Sequence, residues 1–323
     1  MQAIRIHAHG GPEVLQLETL ELPQPGPGEV LVAHSAIGVN FIDTYHRSGL
    51  YPLPLPSGLG QEAMGVVAKV GSAVSDFVIG DRVAYAGGTP GSYATHRILP
   101  ATRLVPVPKA IPDDVAAATL LRGMTAEYLL CRTFPVGPDT TLLFHAAAGG
   151  VGQIACQWAK ALGATVIGTV GSDAKIELAR SYGCDHVINY STDNFAMRVR
   201  EITGGRGVDV VYDGVGAATF EGSLDSLALC GMLVSFGNAS GAVPPFSPGI
   251  LAAKGSLFIT RPTLAHYTAT REALLLSAAT YFTQLETGRI KAEIHQSFAL
   301  ADAAEAHRAL ESRTTTGATV LKP

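Results

Sequence analysis

Gly149 and Gly152, within residues 141–175 (TLLFHAAAGGVGQIACQWAKALGATVIGTVGSDAK), stand where a strand hands over to a helix. Small residues at such a turn let the backbone approach an anion, and the N–H groups at the helix N-terminus then stabilise its charge; a dinucleotide pyrophosphate suits that spacing. Gly150 and Val151 complete the turn. Ala147 occupies the place of the first glycine in the G-x-G-x-x-G fingerprint, and its one methyl is tolerable where positive φ is not required. At the end of the second strand an NAD-binding chain carries an acidic residue for the ribose 2′-hydroxyl. Here Val170 is followed by Gly171, Ser172 and Lys175. With no carboxylate at that strand end to repel a 2′-phosphate, the turn is expected to take NADPH, with Lys175 reading the phosphate and Ser172 contacting it or capping the next helix. The competing readings are a glycine turn that only packs helix on strand, and a solvated lysine.

The surrounding pattern favours the nucleotide. After Asp139 the chain alternates strand and helix: TLLFH with VGQIACQWAKALG, TVIGTV with DAKIELARSYG, HVINY with DNFAMRVREITGG, VDVVYDG with TFEGSLDSLALCG, then MLVSFG and SLFIT. Such alternation predicts a parallel sheet covered on both faces. Ile154, Ala155, Trp158, Ala159 and Leu162 form the sheet-facing stripe of the first helix, which Gly163 caps. Before residue 110 the runs AIRIH, EVLVAHSAIGV, GVVAKV, DRVAYA and ATHRIL, broken by Gly and Pro, predict an irregular β domain. DDVAAATLLRGMTAEYLLCRTF predicts a helix started by Pro112 and Asp113 and ended before Pro135. The tail from Pro262 holds two helical stretches and a final strand-like run, TTTGATVLKP, expected to rejoin the first domain.

The chain has 23 Lys and Arg against 27 Asp and Glu, a net charge of -4 that disfavours an extended polyphosphate partner. Cys131, Cys156, Cys184 and Cys230 are scattered without metal or disulfide spacing. The N-terminus lacks the regions of a signal peptide and no apolar run reaches membrane-spanning length, so a soluble, cytoplasmic protein is expected.

DTTLLFHAAAGGVGQIACQWAKALGA resembles the quinone oxidoreductase branch of the medium-chain dehydrogenases/reductases, the zeta-crystallin family. GVNFIDTYHRSGLYP, PSGLGQEAMGVV, GDRVAY, GMTAEYLL, VDVVYDGVG, SFGNASG, FITRPTL and ESRTTTG extend the likeness along essentially the whole chain. The resemblance implies an α/β fold: a Rossmann doubly wound parallel sheet inserted in a GroES-like β-rich catalytic domain, usually as a homodimer. The expected divisions are residues 1–122 for the first part of the GroES-like domain, 123–261 for the NADPH-binding domain and 262–323 for the return. The apolar SLFIT run is a candidate intersubunit edge strand. Zinc-dependent relatives carry cysteine at the position of Asn40 and histidine at that of Gln61, beside Glu62, so no metal is expected. The 2′-phosphate pocket maps onto Lys175, Tyr190 and Arg313, and the nicotinamide half onto Asn40, Tyr45, Thr125, Phe236, Gly237, Asn238 and Arg261. Asn238 also reads as a turn residue and Arg261 as an ion-pair partner. His145 is expected to be packed, and Asp43 and Glu62 to organise loops through backbone hydrogen bonds.

The reaction implied is reduction of quinones by NADPH, which needs donors for developing oxygen charge and no strong base or metal. Asn40 and Tyr45 are the expected donors, with Tyr51 stacking or bonding near the mouth. Two alternatives remain open at this point. One is an NADPH-dependent reductase of activated alkenes such as enones, with Tyr45 delivering the second proton. The other is a nucleotide-responsive RNA-binding or crystallin-like structural protein, opposed by the acidic balance and the lack of a basic stripe.

Overall fold

The computed structural model describes residues 1–312 and 315–323. It forms two compact units: residues 1–124 with 268–286 and 292–323, and residues 125–267 with 287–291.

In the first unit β1 (Gln2–Ile6) and β2 (Gln16–Thr19) pair antiparallel. β3 (Glu29–Val39) carries Val30, Val32, Ile37 and Val39, whose β-branched side chains suit a pleated, largely buried surface, and it leads into α1 (Phe41–Ser48). β4 (Ser57–Gly58) joins β1. β5 (Glu62–Val70), β6 (Arg82–Ala86), β7 (His96–Pro100) and β8 (Val105–Pro106) build around β3: β5 and β7 pair with it, β6 with β5, and β8 with β6, all antiparallel. Val30, Val32, Ile37, Val67, Val83 and Tyr93 lie in the resulting core. α2 (Asp113–Tyr128) starts after Pro112 and continues as a π turn over Leu129–Thr133.

The second unit is a six-stranded parallel sheet. Its elements are β9 (Thr141–Phe144), α3 (Gly152–Ala161), β10 (Thr165–Val170), α4 (Ile176–Ser181), β11 (His186–Asn189), α5 (Phe195–Ile202), β12 (Val208–Asp213), α6 (Phe220–Ser226), β13 (Leu227–Ser235), α7 (Gly249–Ala253) and β14 (Phe258–Thr260). The strand order β11-β10-β9-β12-β13-β14 reverses between β9 and β12, the switch point outside whose strand ends such sheets bind ligands. Leu143, Ile167, Val208, Val211 and Leu233 fill the core.

One expectation fails here. The helix expected over TFEGSLDSLALCG stops at Ser226, and β13 begins at Leu227. Leu227 pairs with Val208, and the register then shifts so that Met232 faces Val210; the extra residues form a bulge in which Cys230 has φ 59°. Strand pairing overrides the helix preference of the leucines.

α8 (Leu264–Tyr267) closes the second unit's main segment. The chain then returns through α9 (Arg271–Glu286), β15 (Ile294–Ala299), α10 (Ala303–Glu311) and β16 (Ala318–Lys322). β16 lies parallel to β15 and antiparallel to β3. β15 was not apparent in the sequence, because IHQSFA alternates only between half-buried and exposed positions. Among the described residues no helix is long and apolar enough to cross a membrane.

Candidate functional site

In the second unit the turn between β9 and α3 carries Gly149, Gly150 and Val151, and Gly152 opens the helix. A Cβ on Gly152 would lie 2.5 Å from the carbonyl oxygens of both Ala146 and Ala147, so only glycine lets the helix start this close to the strand. Ala146 itself has φ 53°, a region that favours glycine, which marks the turn as strained. Ala147 is fully buried, and its N–H donates to Thr169 O at 3.0 Å. Its methyl has a counterpart one strand away: a Cβ on Gly168 would come within 2.8 Å of Ala147 Cβ and 2.6 Å of Cys184 Sγ. The methyl at the position of the absent fingerprint glycine is thus accommodated by a glycine on β10.

Below the turn, His145 is buried with both ring nitrogens engaged, Nδ1 with Thr169 Oγ1 at 2.9 Å and Nε2 with Ser223 Oγ at 3.0 Å. Burial lowers its pKa, with Asp213 opposing. Ser223 also donates to Asp213 Oδ2 at 2.9 Å, and Asp213 Oδ1 accepts from the N–H groups of Val215 (2.8 Å) and Gly216 (3.0 Å). His145 is therefore a packed residue, as expected. Asp213, which shapes the loop after β12, escaped the sequence reading; the available signal was the acid that ends the run VDVVYD.

Gly171, Ser172, Lys175 and Tyr190 gather at the ends of β10 and β11. The Tyr190 hydroxyl would lie 2.8 Å from a Cβ on Gly171, so a side chain there would fill the space. Lys175 is partly buried, and desolvation lowers its pKa. The side chain of Ser172 does not cap the following turn; its backbone carbonyl accepts from Lys175 N at 3.1 Å instead. Asp173, adjacent to Ser172 and not weighed from sequence, is tied by Asn189 Nδ2 to its Oδ1 at 2.7 Å. Arg313 lies outside the described residues.

After β13, Phe236 N donates to Asp213 O, and its ring packs on Phe144 with centroids 5.9 Å apart. A Cβ on Gly237 would meet Gly214 O at 2.4 Å. Asn238 O accepts from Gly241 N, the turn role, and Arg261 reaches Gly237 O at 3.4 Å. Thr125 is buried in α2.

In the first unit Asn40 immediately precedes α1 and is 5% exposed. Its Nδ2 donates to Glu62 Oε1 at 2.7 Å, and its Oδ1 accepts from Arg122 Nε at 3.0 Å. Glu62 Oε2 also accepts from Leu121 N at 2.7 Å, and Arg122 donates to Val39 O at 2.6 Å. Asp43 Oδ2 accepts from Asn40 N at 2.8 Å and from the Tyr93 hydroxyl at 2.9 Å. Glu62 and Asp43 each accept a backbone N–H, as expected, and each also takes a side-chain donor. Arg122 was missed, although a single cation inside AAATLLRGMTA was a visible signal. Tyr45 and Tyr51 meet edge-on with centroids 5.3 Å apart, and Tyr51 N donates to Tyr45 O at 3.0 Å.

Burial raises the carboxyl of Glu62 to about 7, against the lowering effects of Arg122, Asn40 and Leu121 N–H. Burial likewise raises Asp43 to about 7, against the Asn40 N–H and Tyr93. Their ordinary values are 4.5 and 3.8, so between those values and about 7 the unfolded chain has lost protons that the folded chain keeps. The stability they contribute is therefore full below about 4 and falls as pH rises through about 7. Thermal unfolding from pH 5 to 8 is expected to show this decline and Glu62→Gln, which has no proton to lose, to flatten it. An unchanged slope in the variant would contradict the assignment.

Asn40 and Gln61 offer amides where zinc would need thiolate or imidazole. Among the described residues no three His, Cys, Asp or Glu side chains are grouped to hold a metal.

Residues 26–109 match the family described as the alcohol dehydrogenase GroES-like domain, and residues 150–275 that described as zinc-binding dehydrogenase. A quinone oxidoreductase of Pseudomonas aeruginosa is 54% identical, with 99% of each chain covered. A 2-haloacrylate reductase of a Burkholderia species is 46% identical over 100% of this chain and 99% of its own. The crystal structure of Escherichia coli quinone oxidoreductase complexed with NADPH superposes with a TM-score of 0.98 at 50% identity, covering 100% of both chains. Likeness of this degree along the whole length leaves one placement: the chain belongs to the quinone oxidoreductase branch of the medium-chain dehydrogenases/reductases.

Proposed function

We propose that the protein reduces quinones with NADPH. The observation that carries this reading is its likeness, over the full chain at a TM-score of 0.98, to a quinone oxidoreductase solved with NADPH. The second unit's own features fit the cofactor: the glycine turn lies beside the strand-order switch, and Gly171 leaves space against Tyr190 where a side chain would intrude. When bound, NADPH supplies the reducing electrons, as a hydride or singly.

In this reading Gly149, Gly150, Val151 and Gly152 hold the pyrophosphate, aided by the helix N-terminus. Gly171, Ser172, Lys175 and Tyr190 surround the 2′-phosphate, with Arg313 contributing. Thr125, Phe236, Gly237, Asn238 and Arg261 orient the nicotinamide half. Asn40 and Tyr45 act on the acceptor and the nicotinamide: one Asn40 amide hydrogen goes to Glu62, and the other is donated to the acceptor oxygen as charge develops there. Tyr45 is a second donor, and Tyr51 supports its ring. Residues 1–122 and 262–323 serve as the catalytic domain and 123–261 as the cofactor domain.

The 2-haloacrylate reductase likeness favours a second reading, reduction of activated alkenes. Steady-state assays with NADPH and NADH against quinones and enones decide: the expected result is NADPH-dependent turnover highest with quinones. No turnover above background with any quinone sinks the first reading, and a preference for enones installs the second. We also propose a cytoplasmic homodimer. β14 lies at the sheet edge with Phe258 57% exposed, suited to pairing with a second copy, and all four cysteines are free thiols, in keeping with a reducing compartment.

A further inference from the structure

Behind α1 runs a buried chain of hydrogen bonds whose donors and acceptors have only one possible arrangement. Arg47 Nη1 can only donate, so His307 Nδ1, 2.9 Å away, accepts. Burial and the neighbouring Arg47 push the His307 pKa down to about 3, so the ring is neutral. Its hydrogen then sits on Nε2, which donates to the Tyr93 oxygen at 3.0 Å. Tyr93 must in turn donate to Asp43 Oδ2 at 2.9 Å, the same oxygen that accepts the backbone N–H of Asn40 at 2.8 Å. The outer end is anchored by Glu311, which accepts from Arg47 at 2.6 and 3.0 Å, and by Gly10 O at 3.1 Å. Asp43, Arg47, Tyr93 and His307 are each at most 3% exposed, so water does not compete for these bonds.

We propose that Tyr93 and His307 are positioning residues for Asn40, acting through Asp43. Glu62 and Arg122 hold the side-chain amide of Asn40, while this chain holds its backbone and ties α1 to α10. An amide fixed at both ends presents its remaining hydrogen in one direction, which is what a donor to developing charge requires. The inference rests on the reading in which Asn40 serves the acceptor.

Tyr93→Phe keeps the ring and removes the one hydroxyl that links His307 to Asp43. It is expected to lower kcat/KM for a quinone about tenfold while the Kd for NADPH stays within about twofold. His307→Gln is the conservative rescue: an amide can accept from Arg47 and donate to Tyr93, and activity near that of the unaltered enzyme is expected. His307→Leu loses both bonds and should lower kcat/KM, and combined with Tyr93→Phe it should cost no more than the worse single change, because both interrupt one chain. Glu311→Gln, at the exposed end, provides a milder perturbation if Tyr93→Phe fails to fold; a small loss confined to quinone kcat/KM supports the chain. Additive losses, an equal loss of NADPH affinity, or an unaltered quinone kcat/KM in folded Tyr93→Phe would each overturn it. Asn40→Ala separates the two levels: loss there with full activity in Tyr93→Phe overturns the positioning chain alone, whereas full activity in Asn40→Ala overturns the Asn40 reading beneath it.

Discussion

Lys175→Ala is expected to raise the apparent KM for NADPH about ten- to a hundredfold and to leave that for NADH within about twofold, since a hydrogen bond to a charged group contributes roughly 1.5–3 kcal/mol. The two cofactors differ only in the 2′-phosphate, so any loss they share belongs to some other contact. Lys175 follows Gly171 and Ser172 at the end of β10, and its partial burial lowers its pKa, so an arriving phosphate finds a cation already shielded from some of its water. The carboxylate of Asp173 accepts from Asn189 Nδ2 at 2.7 Å, which fixes its orientation and leaves its charge in place, so Lys175 has to outweigh it. Initial rates with both cofactors test the assignment; equal increases in the two KM values would show that Lys175 does not read the phosphate.

Gly152→Ala is expected to have a large effect for a single added methyl, on the fold and on the cofactor together. The added Cβ would stand 2.5 Å from two carbonyl oxygens and 2.7 Å from the Ala147 carbonyl carbon, all backbone atoms that no side-chain rotation can move aside. The turn or the helix must shift, and overpacking of this kind costs about 1–3 kcal/mol or more. A displacement of the turn also moves the N–H groups that face the pyrophosphate, so NADPH affinity should fall by about two orders of magnitude, with the melting temperature lowered by several degrees. Fluorescence titration with NADPH and thermal unfolding read the two effects separately. Unaltered affinity in a folded Gly152→Ala protein would remove the turn from the cofactor site.

How far the sequence could be read depended on how far apart the interacting residues stand. Strand and helix alternation, the glycine turn and the lysine beyond β10 are local patterns, and they could be read from short windows. The acceptor side is different. Asn40 meets Glu62 22 residues on and Arg122 82 residues on, while Tyr93 meets His307 across 214 residues. Periodicity carries no information about such pairings, so the residue types were visible and their partnerships were not. The same limit explains Ala147: scanned alone it looks like a damaged fingerprint, and only the neighbouring strand shows Gly168 accommodating the methyl. β13 was misread for a related reason, since the leucines in SLALCG carry a helix preference that pairing with β12 overrules.

The pairing of β16 with β3 has a consequence for how the protein emerges from the ribosome. Ile37, Gly38 and Val39 of β3 meet Leu321, Val320 and Thr319, which are made long after them. The second unit draws almost all its chain from one continuous segment, residues 125–267, and its sheet is complete before α9 is synthesised. The first unit waits with this stretch of β3 unpaired on that side until β16 has been made, and an open strand edge invites pairing with other chains. The nascent protein is thus exposed to aggregation through β3 until β16 closes that edge.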